Sequence, residues 1–283
     1  MTSETHHHTP AAGGAESAGS PTGVAQPGTV TCTASHDGLV ANVLIDRPTK
    51  LNALTLDLLA QLEAHLHSIA TSRARVVLVR TAGTTVFCVG ADIAAFSQLA
   101  PPDMWRSWIS MGHRVFDRLA HLPQPTIAVV DGLAVGSGLE LALACDLRVT
   151  QPNARFGLPE TGLGTIPGWG GTDRLTRLVG PSRAKELILT RRQIDATTAL
   201  HWGLVNDIAE AGLETAVDRY VTDLLGSAPI AQQVAKQLID AAAAGVPSSV
   251  LESIGSGFTA YTNDYTAGVH AFMNKTQAHF DST

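Results

Sequence analysis

The 283-residue sequence has no concentration of positive charge. Its 19 lysine and arginine residues are outnumbered by 25 aspartate and glutamate residues, which gives a net charge of −6, and the cations are scattered along the chain. A protein without a basic stripe has little with which to neutralise a phosphate backbone. We therefore expect no nucleic-acid partner, although a few well-placed cations would suffice to bind a nucleotide-bearing substrate.

Cysteine is scarce, and no apolar run is long enough to cross a membrane. Cys32, Cys88 and Cys145 are widely spaced, form no CxxC pair, and two of them lie in apolar runs. This usage is typical of reduced, buried thiols rather than of a disulfide framework or a zinc site. The sequence also lacks a transmembrane-length apolar stretch and the charged start and apolar core of a signal peptide. We expect a cytoplasmic protein with no membrane partner.

Signatures of metal and dinucleotide binding are missing as well. His65 and His67 are close in sequence, but on a predicted helix they face different sides, so we expect no metal site. Gly136 and Gly138 are not followed, at the usual spacing, by the acidic residue that binds ribose in dinucleotide-binding proteins. No cofactor is therefore expected.

The first 29 residues differ in composition from the rest of the chain. Residues 1–29 are rich in Ala, Gly, Ser, Thr and Pro and nearly free of large apolar side chains. Such a segment buries too little surface to offset its ordering entropy. We predict a flexible tail, in which the run His6-His7-His8 could bind metal weakly but is more simply part of a solvated segment.

From Val30 onward, the pattern predicts strands alternating with helices. Apolar strands are predicted at 40–46, 75–80, 126–132 and 147–150. Helices are predicted at about 104–119 and 139–144, and residues 52–55 lead into another that runs to about residue 68. Later helices are predicted at 172–178, 182–190, 197–202, 213–225, 230–244, 250–261 and 265–280, separated by Gly and Pro. The alternation indicates an α/β core over residues 30–205. A helical region at 206–283 would then serve oligomerisation.

A glycine-rich segment between a strand and a helix is the most informative part of the sequence. Residues 132–141 read GLAVGSGLEL. The free N–H groups at a helix start, with the helix dipole, can stabilise negative charge on an oxygen. A tight turn with no ligand is an equally good interpretation of this segment alone. Glu140 favours function, because an unpaired carboxylate in an apolar helix is costly unless it is protonated or used; a structural glutamate with a backbone or Arg partner is the alternative.

Two further segments could belong to the same site. Glu160 stands in a loop rich in Gly and Pro, FGLPETGLGTIPG at 156–168, where functional groups are often displayed. Residues 87–93, FCVGADI, place a Gly-Ala pair between a strand-like run and a helix, which could offer another backbone N–H. Each signal is weak when taken alone.

Taken together, these segments resemble the crotonase (enoyl-CoA hydratase/isomerase) superfamily. The matching elements, in family order, are DRP at 46–48 with LNAL at 51–54, GAD at 90–92, GSGLEL at 136–141, FGLPE at 156–160, GTIPG at 164–168 with GGT at 170–172, and ALHWGLV at 199–205. The likeness extends from about Val30 to the C-terminus. It implies a core of repeated ββα units forming a superhelix, with C-terminal helices that assemble a homotrimer or a dimer of trimers.

The resemblance also implies an acyl-CoA thioester substrate and assigns roles to individual residues. The N–H groups of Ala91 and Ser137 correspond to the oxyanion hole, and Glu140 and Glu160 to a hydratase pair in which the first activates water and the second gives a proton to the α-carbon. The residues expected to contact the substrate or its CoA are Ala53, Gly90, Ala91, Asp92, Ile93, Gly136, Gly168 and Lys275. Coenzyme A would be part of the substrate rather than a cofactor.

Three positions depart from the pattern or carry an ambiguous match. Ala94 stands where a lysine is frequent in hydratases. Trp169 is bulkier than the small residue often found there; it would either narrow the acyl pocket or pack at the surface of its loop. Lys275 resembles a lysine that reaches CoA phosphate, but a solvated lysine is a comparable interpretation.

Hydration of a trans-2-enoyl-CoA is the favoured function. The first alternative is another crotonase reaction, namely double-bond isomerisation, thioester hydrolysis or carbon–carbon cleavage, and a product assay with crotonyl-CoA would separate these. The second alternative is a non-catalytic binding or scaffold protein, which a failure to bind acyl-CoA would favour.

Overall fold

A computed structural model of the protein describes residues 27–281. The predicted tail at 1–29 falls almost wholly on residues 1–26, which lie outside the described residues. The run His6-His7-His8 is part of that segment. The description that follows therefore begins at the first strand.

Two sheets form the core. The larger has the strand order β1-β2-β3-β5-β7-β10 and the smaller has the order β4-β6-β8-β9. The strands are β1 (Thr29–Ser35), β2 (Val40–Asp46), β3 (Val76–Thr81), β4 (Val86–Cys88), β5 (Thr126–Val130), β6 (Leu133–Val135), β7 (Leu147–Thr150), β8 (Arg155–Gly157), β9 (Ile194–Asp195) and β10 (Asp207–Ile208). Neighbouring strands are parallel except β1 with β2 and β8 with β9.

Successive strand pairs are divided between the two sheets. The pairs β3–β4, β5–β6 and β7–β8 each contribute one strand to the larger sheet and the next to the smaller one. Parallel neighbours joined in this way need a crossover segment, and helices fill that role between the pairs. The chain therefore forms successive ββα units, which confirms the α/β superhelical core.

Eleven α-helices are present in the described part of the chain. They are α1 (Leu56–Ala70), α2 (Ile93–Phe96), α3 (Pro101–Asp103), α4 (Ser110–Ala120), α5 (Ser137–Leu143), α6 (Gly171–Thr190), α7 (Ala196–Trp202), α8 (Leu213–Leu225), α9 (Pro229–Ala243), α10 (Ser248–Thr259) and α11 (Asn263–Asn274). A π-helical turn, Met104–Ile109, joins α3 to α4. No helix among residues 27–281 has both the length and the apolar character needed to span a membrane.

The sequence and the structure differ mainly at element boundaries. The predicted helix at 104–119 is a π-helical turn followed by α4, and the two predicted helices at 172–178 and 182–190 are a single helix, α6, kinked at Gly180. The last predicted helix ends at Asn274 rather than at 280. Strand β4 coincides with the strand-like run noted before Gly90, whereas β6 and β8 were not predicted, because three residues are too few to show a period.

The larger sheet and its packing extend past residue 205, which is the predicted end of the core. Strand β10 extends the larger sheet beyond residue 205. Helix α8 buries Leu213, Val217 and Val221 against that sheet, so it belongs to the core. From α9 onward few side chains are buried, and α10 and α11 expose large apolar groups such as Phe258 and Phe272.

Candidate active site

The three candidate segments follow the ends of three adjacent parallel strands. Gly90 comes after β4, Gly136 after β6, and Glu160 after β8, and these strands are neighbours in the smaller sheet. The carboxyl ends of parallel strands meet at one edge of a sheet, which is where open α/β folds place their ligands. The topology therefore brings together segments that are up to 70 residues apart in sequence.

The first segment turns one backbone amide towards this edge. Gly90 has φ +105°, a conformation that favours glycine. Its carbonyl accepts from the Leu54 amide at 2.8 Å, and the Asp92 amide donates to the Leu54 carbonyl at 2.8 Å. Because the groups on either side of Ala91 bond to Leu54 and backbone groups alternate in direction along such a ladder, the N–H of Ala91 points away from Leu54. Ala91 also lines a cavity at this edge.

An ion pair fixes the segment that carries Ala91. Asp92 accepts from the Ala94 amide at 3.0 Å and the Ala95 amide at 3.3 Å, and its other oxygen lies 2.7 Å from Nη1 of Arg47. The hydrogen bond from Arg47 contributes to lowering the pKa of Asp92 against the effect of its burial. This carboxylate therefore serves as a helix cap and an anchor.

The second segment supplies the other amide. Gly136 has φ +55°, and Ser137 is the first residue of α5. A Cβ at Gly138 would lie 2.2 Å from the Cys88 carbonyl oxygen, so α5 packs directly against the end of β4. A Cβ at Gly90 would likewise lie 3.2 Å from the Ser137 amide nitrogen. Within residues 27–281, neither the Ala91 amide nor the Ser137 amide donates a hydrogen bond.

Glu140 is completely buried, and only one of its two carboxylate oxygens has a hydrogen-bond partner within residues 27–281. Its Oε1 accepts from the amides of Trp169 at 2.8 Å and Gly171 at 2.9 Å, whereas Oε2 has no partner among the described residues. Burial raises the pKa of Glu140, and the two amide bonds oppose that rise because they favour the ionised carboxylate. The structure thus shows the backbone partners expected of a structural glutamate together with one oxygen that they leave unused.

Glu160 lies beside this carboxylate in a different environment. Both of its oxygens are buried and have no hydrogen-bond partner in the described part of the chain. Burial, together with the negative charge of Glu140, raises the pKa of Glu160 to about 7. Two carboxylates with different environments can divide acid and base roles at neutral pH.

A cavity of about 150 Å³ opens beside these groups. Gly90, Ala91, Gly136, Ser137 and Glu160 line one side. The remaining lining is mostly apolar and comes from Val89, Ile93, Phe96, Met104, Trp108, Ile109, Pro159, Leu163, Thr165, Ile166, Gly168 and Trp169. Glu140 is not among the lining residues, although Trp169, whose amide holds it, is.

Trp169 lines the cavity and is not a surface residue of its loop. Its side chain is 1% exposed, and its ring centroid lies 5.4 Å from the rings of both Trp108 and Phe116. Its Nε1 donates to the Trp108 carbonyl at 3.2 Å. The interpretation that Trp169 packs at the loop surface is therefore wrong, and the residue does shape the pocket.

The other residues expected to bind substrate are spread around the site. Ile93 and Gly168 line the cavity. Ala53 is buried and does not; its carbonyl accepts from Arg47 at 2.9 Å. Lys275 is exposed at the end of α11 and is not part of the cavity lining in a single chain.

Several contributors were not identified from the sequence. Arg47 was seen only as part of a motif, and nothing in the spacing indicates its pairing partner. Trp108 and Met104 have the apolar periodicity of any core helix. Buried Arg148 was missed as well; it donates to the carbonyls of Leu204 at 2.6 Å and Cys145 at 2.7 Å, and so holds the end of α5. A charged residue within an apolar strand was the one available signal.

No group of three or more His, Cys, Asp or Glu side chains that could hold a metal ion occurs within residues 27–281. The polar groups at this site are instead two carboxyls and two main-chain amides, which suit a substrate that develops negative charge on oxygen and exchanges protons.

The repeated ββα units and the paired amides at the end of the smaller sheet define a crotonase-type protein. A model of the family described as enoyl-CoA hydratase/isomerase matches residues 36–283. The chain belongs to this family.

Its relatives agree with this membership. The chain is 39% identical to a probable enoyl-CoA hydratase 2, mitochondrial, of Arabidopsis thaliana, over 84% of this chain and 80% of that protein. It is 41% identical to a short-chain-enoyl-CoA hydratase of Clostridium acetobutylicum, over 72% of this chain and 78% of the relative. A crystal structure of an enoyl-CoA hydratase from Bacillus anthracis aligns with a TM-score of 0.85 at 33% identity and covers 90% of this chain and 100% of that one.

Proposed function

We propose that this protein is an enoyl-CoA hydratase in which Glu140 and Glu160 act together on one water molecule. Water adds across the conjugated double bond of a trans-2-enoyl-CoA, with hydroxide joining the β-carbon and a proton joining the α-carbon. The observation that supports the proposal is that Glu160, Ala91 and Ser137 line one cavity. Buried Glu140 is held by the amide of Trp169, another lining residue, and lies near enough for its charge to raise the pKa of Glu160.

The amides of Ala91 and Ser137 are the proposed oxyanion hole. Attack at the β-carbon moves electron density onto the thioester oxygen, and two N–H donors aimed at that oxygen stabilise the developing enolate. Removing one such donor typically costs about 10²–10³ in rate. The ion pair between Arg47 and Asp92 supports this role because it fixes the segment that carries Ala91.

The two glutamates take different roles in this scheme. Glu140 is proposed as the base, since two amide donors favour its ionised form and Oε2 is left to accept a proton from water. Glu160 is proposed as the proton donor to the α-carbon, since a pKa of about 7 keeps much of it protonated at neutral pH. The reaction then needs no cofactor beyond the CoA that the substrate carries.

Substitution of each glutamate tests the proposal. Glu140→Gln and Glu160→Gln should each lower kcat for crotonyl-CoA by several orders of magnitude, measured as the loss of absorbance of the conjugated double bond. Glu210→Gln is the matched control, because Glu210 is exposed and outside the site. Near-normal turnover by either site variant, with the fold shown intact by circular dichroism, would reject the assignment.

Product analysis separates hydration from the other reactions of the family. A 3-hydroxyacyl-CoA product supports the proposal. A shifted double bond, free CoA or a shortened acyl group would instead indicate isomerisation, thioester hydrolysis or carbon–carbon cleavage.

The remaining substrate contacts are proposed on the family resemblance. Ala53, Asp92 and Ile93 would lie along the CoA moiety, and Lys275 would pair with a phosphate of CoA. Lys275→Met should then raise KM for crotonyl-CoA and leave kcat unchanged. An unchanged KM would remove Lys275 from the site.

The exposed apolar side chains of α10 and α11 support the proposed assembly into a trimer or a dimer of trimers. Light scattering should give three or six times the chain mass of 29.6 kDa; a monomer mass would refute it.

A cytoplasmic location is proposed because Cys88 and Cys145 are buried free thiols. Recovery of the protein in an organelle or exported fraction would contradict this location.

A further inference from the structure

A wall of aromatic rings lines part of the cavity. Trp169 contacts Trp108 and Phe116, each with ring centroids 5.4 Å apart, and Trp108 in turn lies 5.8 Å from Phe96. Trp108 and Trp169 are 4% and 1% exposed. The cavity is therefore bordered here by packed, buried side chains.

Packing and a hydrogen bond fix the position of Trp169 in this wall. The indole of Trp169 lies against the backbone of α4 at Gly112, where a Cβ would come within 2.2 Å of the ring. Its Nε1 is also held by the Trp108 carbonyl at 3.2 Å. Buried side chains in a packed interior resist displacement, so the glycine allows the ring to sit there and the hydrogen bond fixes its orientation.

The volume in front of the wall is small. Pockets that hold drug-sized ligands are about 300–1,000 Å³, whereas this cavity is about 150 Å³. An apolar cavity of about 150 Å³ is known to hold a molecule as large as benzene. It therefore matches the roughly five non-hydrogen atoms of a crotonyl group and is too small for the roughly nine of an octenoyl group.

On the basis of the proposed hydratase activity, we propose that Trp169, backed by Gly112 and Trp108, limits the substrate to acyl groups of about four to six carbons. The acyl chain runs from the oxyanion amides past Glu160 and ends against the indole. Longer chains collide with the wall. The main-chain amide of Trp169 holds Glu140 at the same time, so the end of the acyl pocket and the position of the proposed base are set by one residue.

Rates across a series of substrates test this inference. The wild-type protein is assayed with trans-2-enoyl-CoAs of four, six, eight and ten carbons. A methylene that does not suit an apolar pocket changes kcat/KM by about 10–200-fold, so kcat/KM should fall at least tenfold between six and eight carbons. Trp169→Leu keeps the amide that holds Glu140 and should reduce that fall at least tenfold.

Two further variants keep the test decisive. Trp105→Leu is the matched control, because Trp105 is 61% exposed and does not line the cavity; its chain-length profile should equal that of the wild type. Trp108→Leu alters the same wall from the neighbouring turn and replaces Trp169→Leu if that variant does not fold.

The outcomes separate the two proposals. Equal kcat/KM for four and ten carbons in the wild type, or a folded wall variant with an unchanged profile, overturns the chain-length inference while the hydratase proposal stands. Failure of the wild type to hydrate any member of the series refutes the proposed function instead.

Discussion

Replacing Glu160 by glutamine should make the protein more stable at alkaline pH, even though it removes a proposed catalytic group. Glu160 has a pKa of about 7 in the folded protein against an ordinary value of 4.5. The folded state therefore holds a proton that the unfolded chain releases between these two values. Stability must fall as the pH rises from 4.5 to 7 and remain low above 7. Glutamine resembles the protonated acid and lacks this loss.

The size of the effect follows from the two pKa values. Each pH unit between them corresponds to about 1.4 kcal/mol, so the full difference corresponds to about 3 kcal/mol. Because part of the Glu160 side chain is exposed, solvent screening reduces the expected gain. Between pH 5 and pH 8.5, the free energy of unfolding of Glu160→Gln should therefore rise by about 1–2 kcal/mol relative to the wild type.

Urea unfolding at the two pH values, at one fixed protein concentration, measures this difference. A fixed concentration matters because subunit assembly would add to the apparent stability. Glu210→Gln should show no such pH dependence. The reasoning is refuted if the difference between Glu160→Gln and the wild type is the same at both pH values, or if the wild type gains on the variant as the pH rises.

Three other substitutions probe how the site is held. Arg148→Met should lower the free energy of unfolding by about 3–5 kcal/mol, since it leaves several buried carbonyls unpaired. Its control, Arg177→Met at an exposed ion pair, should lower the free energy of unfolding by about 0.5 kcal/mol or less. Urea unfolding measures both values, and equal losses would contradict the reasoning. Gly138→Ala should lower kcat for crotonyl-CoA at least tenfold, because its Cβ would meet a carbonyl oxygen at 2.2 Å, while Gly257→Ala, with open space, should not. Arg47→Met should lower kcat/KM at least tenfold by releasing the anchored oxyanion loop; an unchanged value would show that the loop holds itself.

Local patterns in the sequence were enough to predict the α/β class of fold, whereas the candidate site was predicted from the resemblance to the crotonase superfamily. Strands such as β3 and β5 are continuous apolar runs, because a strand covered on both faces has no polar side. Glu140 was a clear candidate because burying a carboxylate in an apolar helix costs free energy unless the group is paired or protonated. Motif order along the chain then connected Ala91, Ser137 and Glu160 with it.

The tertiary structure alone decided how these residues are used. The amide partners of Glu140 lie about 30 residues away in sequence, and the pairing of Arg47 with Asp92 spans 45 residues. Side-chain periodicity reports which face of an element is buried but not which distant group it meets. Trp169 shows the limit most clearly. Its size was plain from the sequence, but only the tertiary structure shows that it packs against Gly112 of a separate helix and lines a cavity.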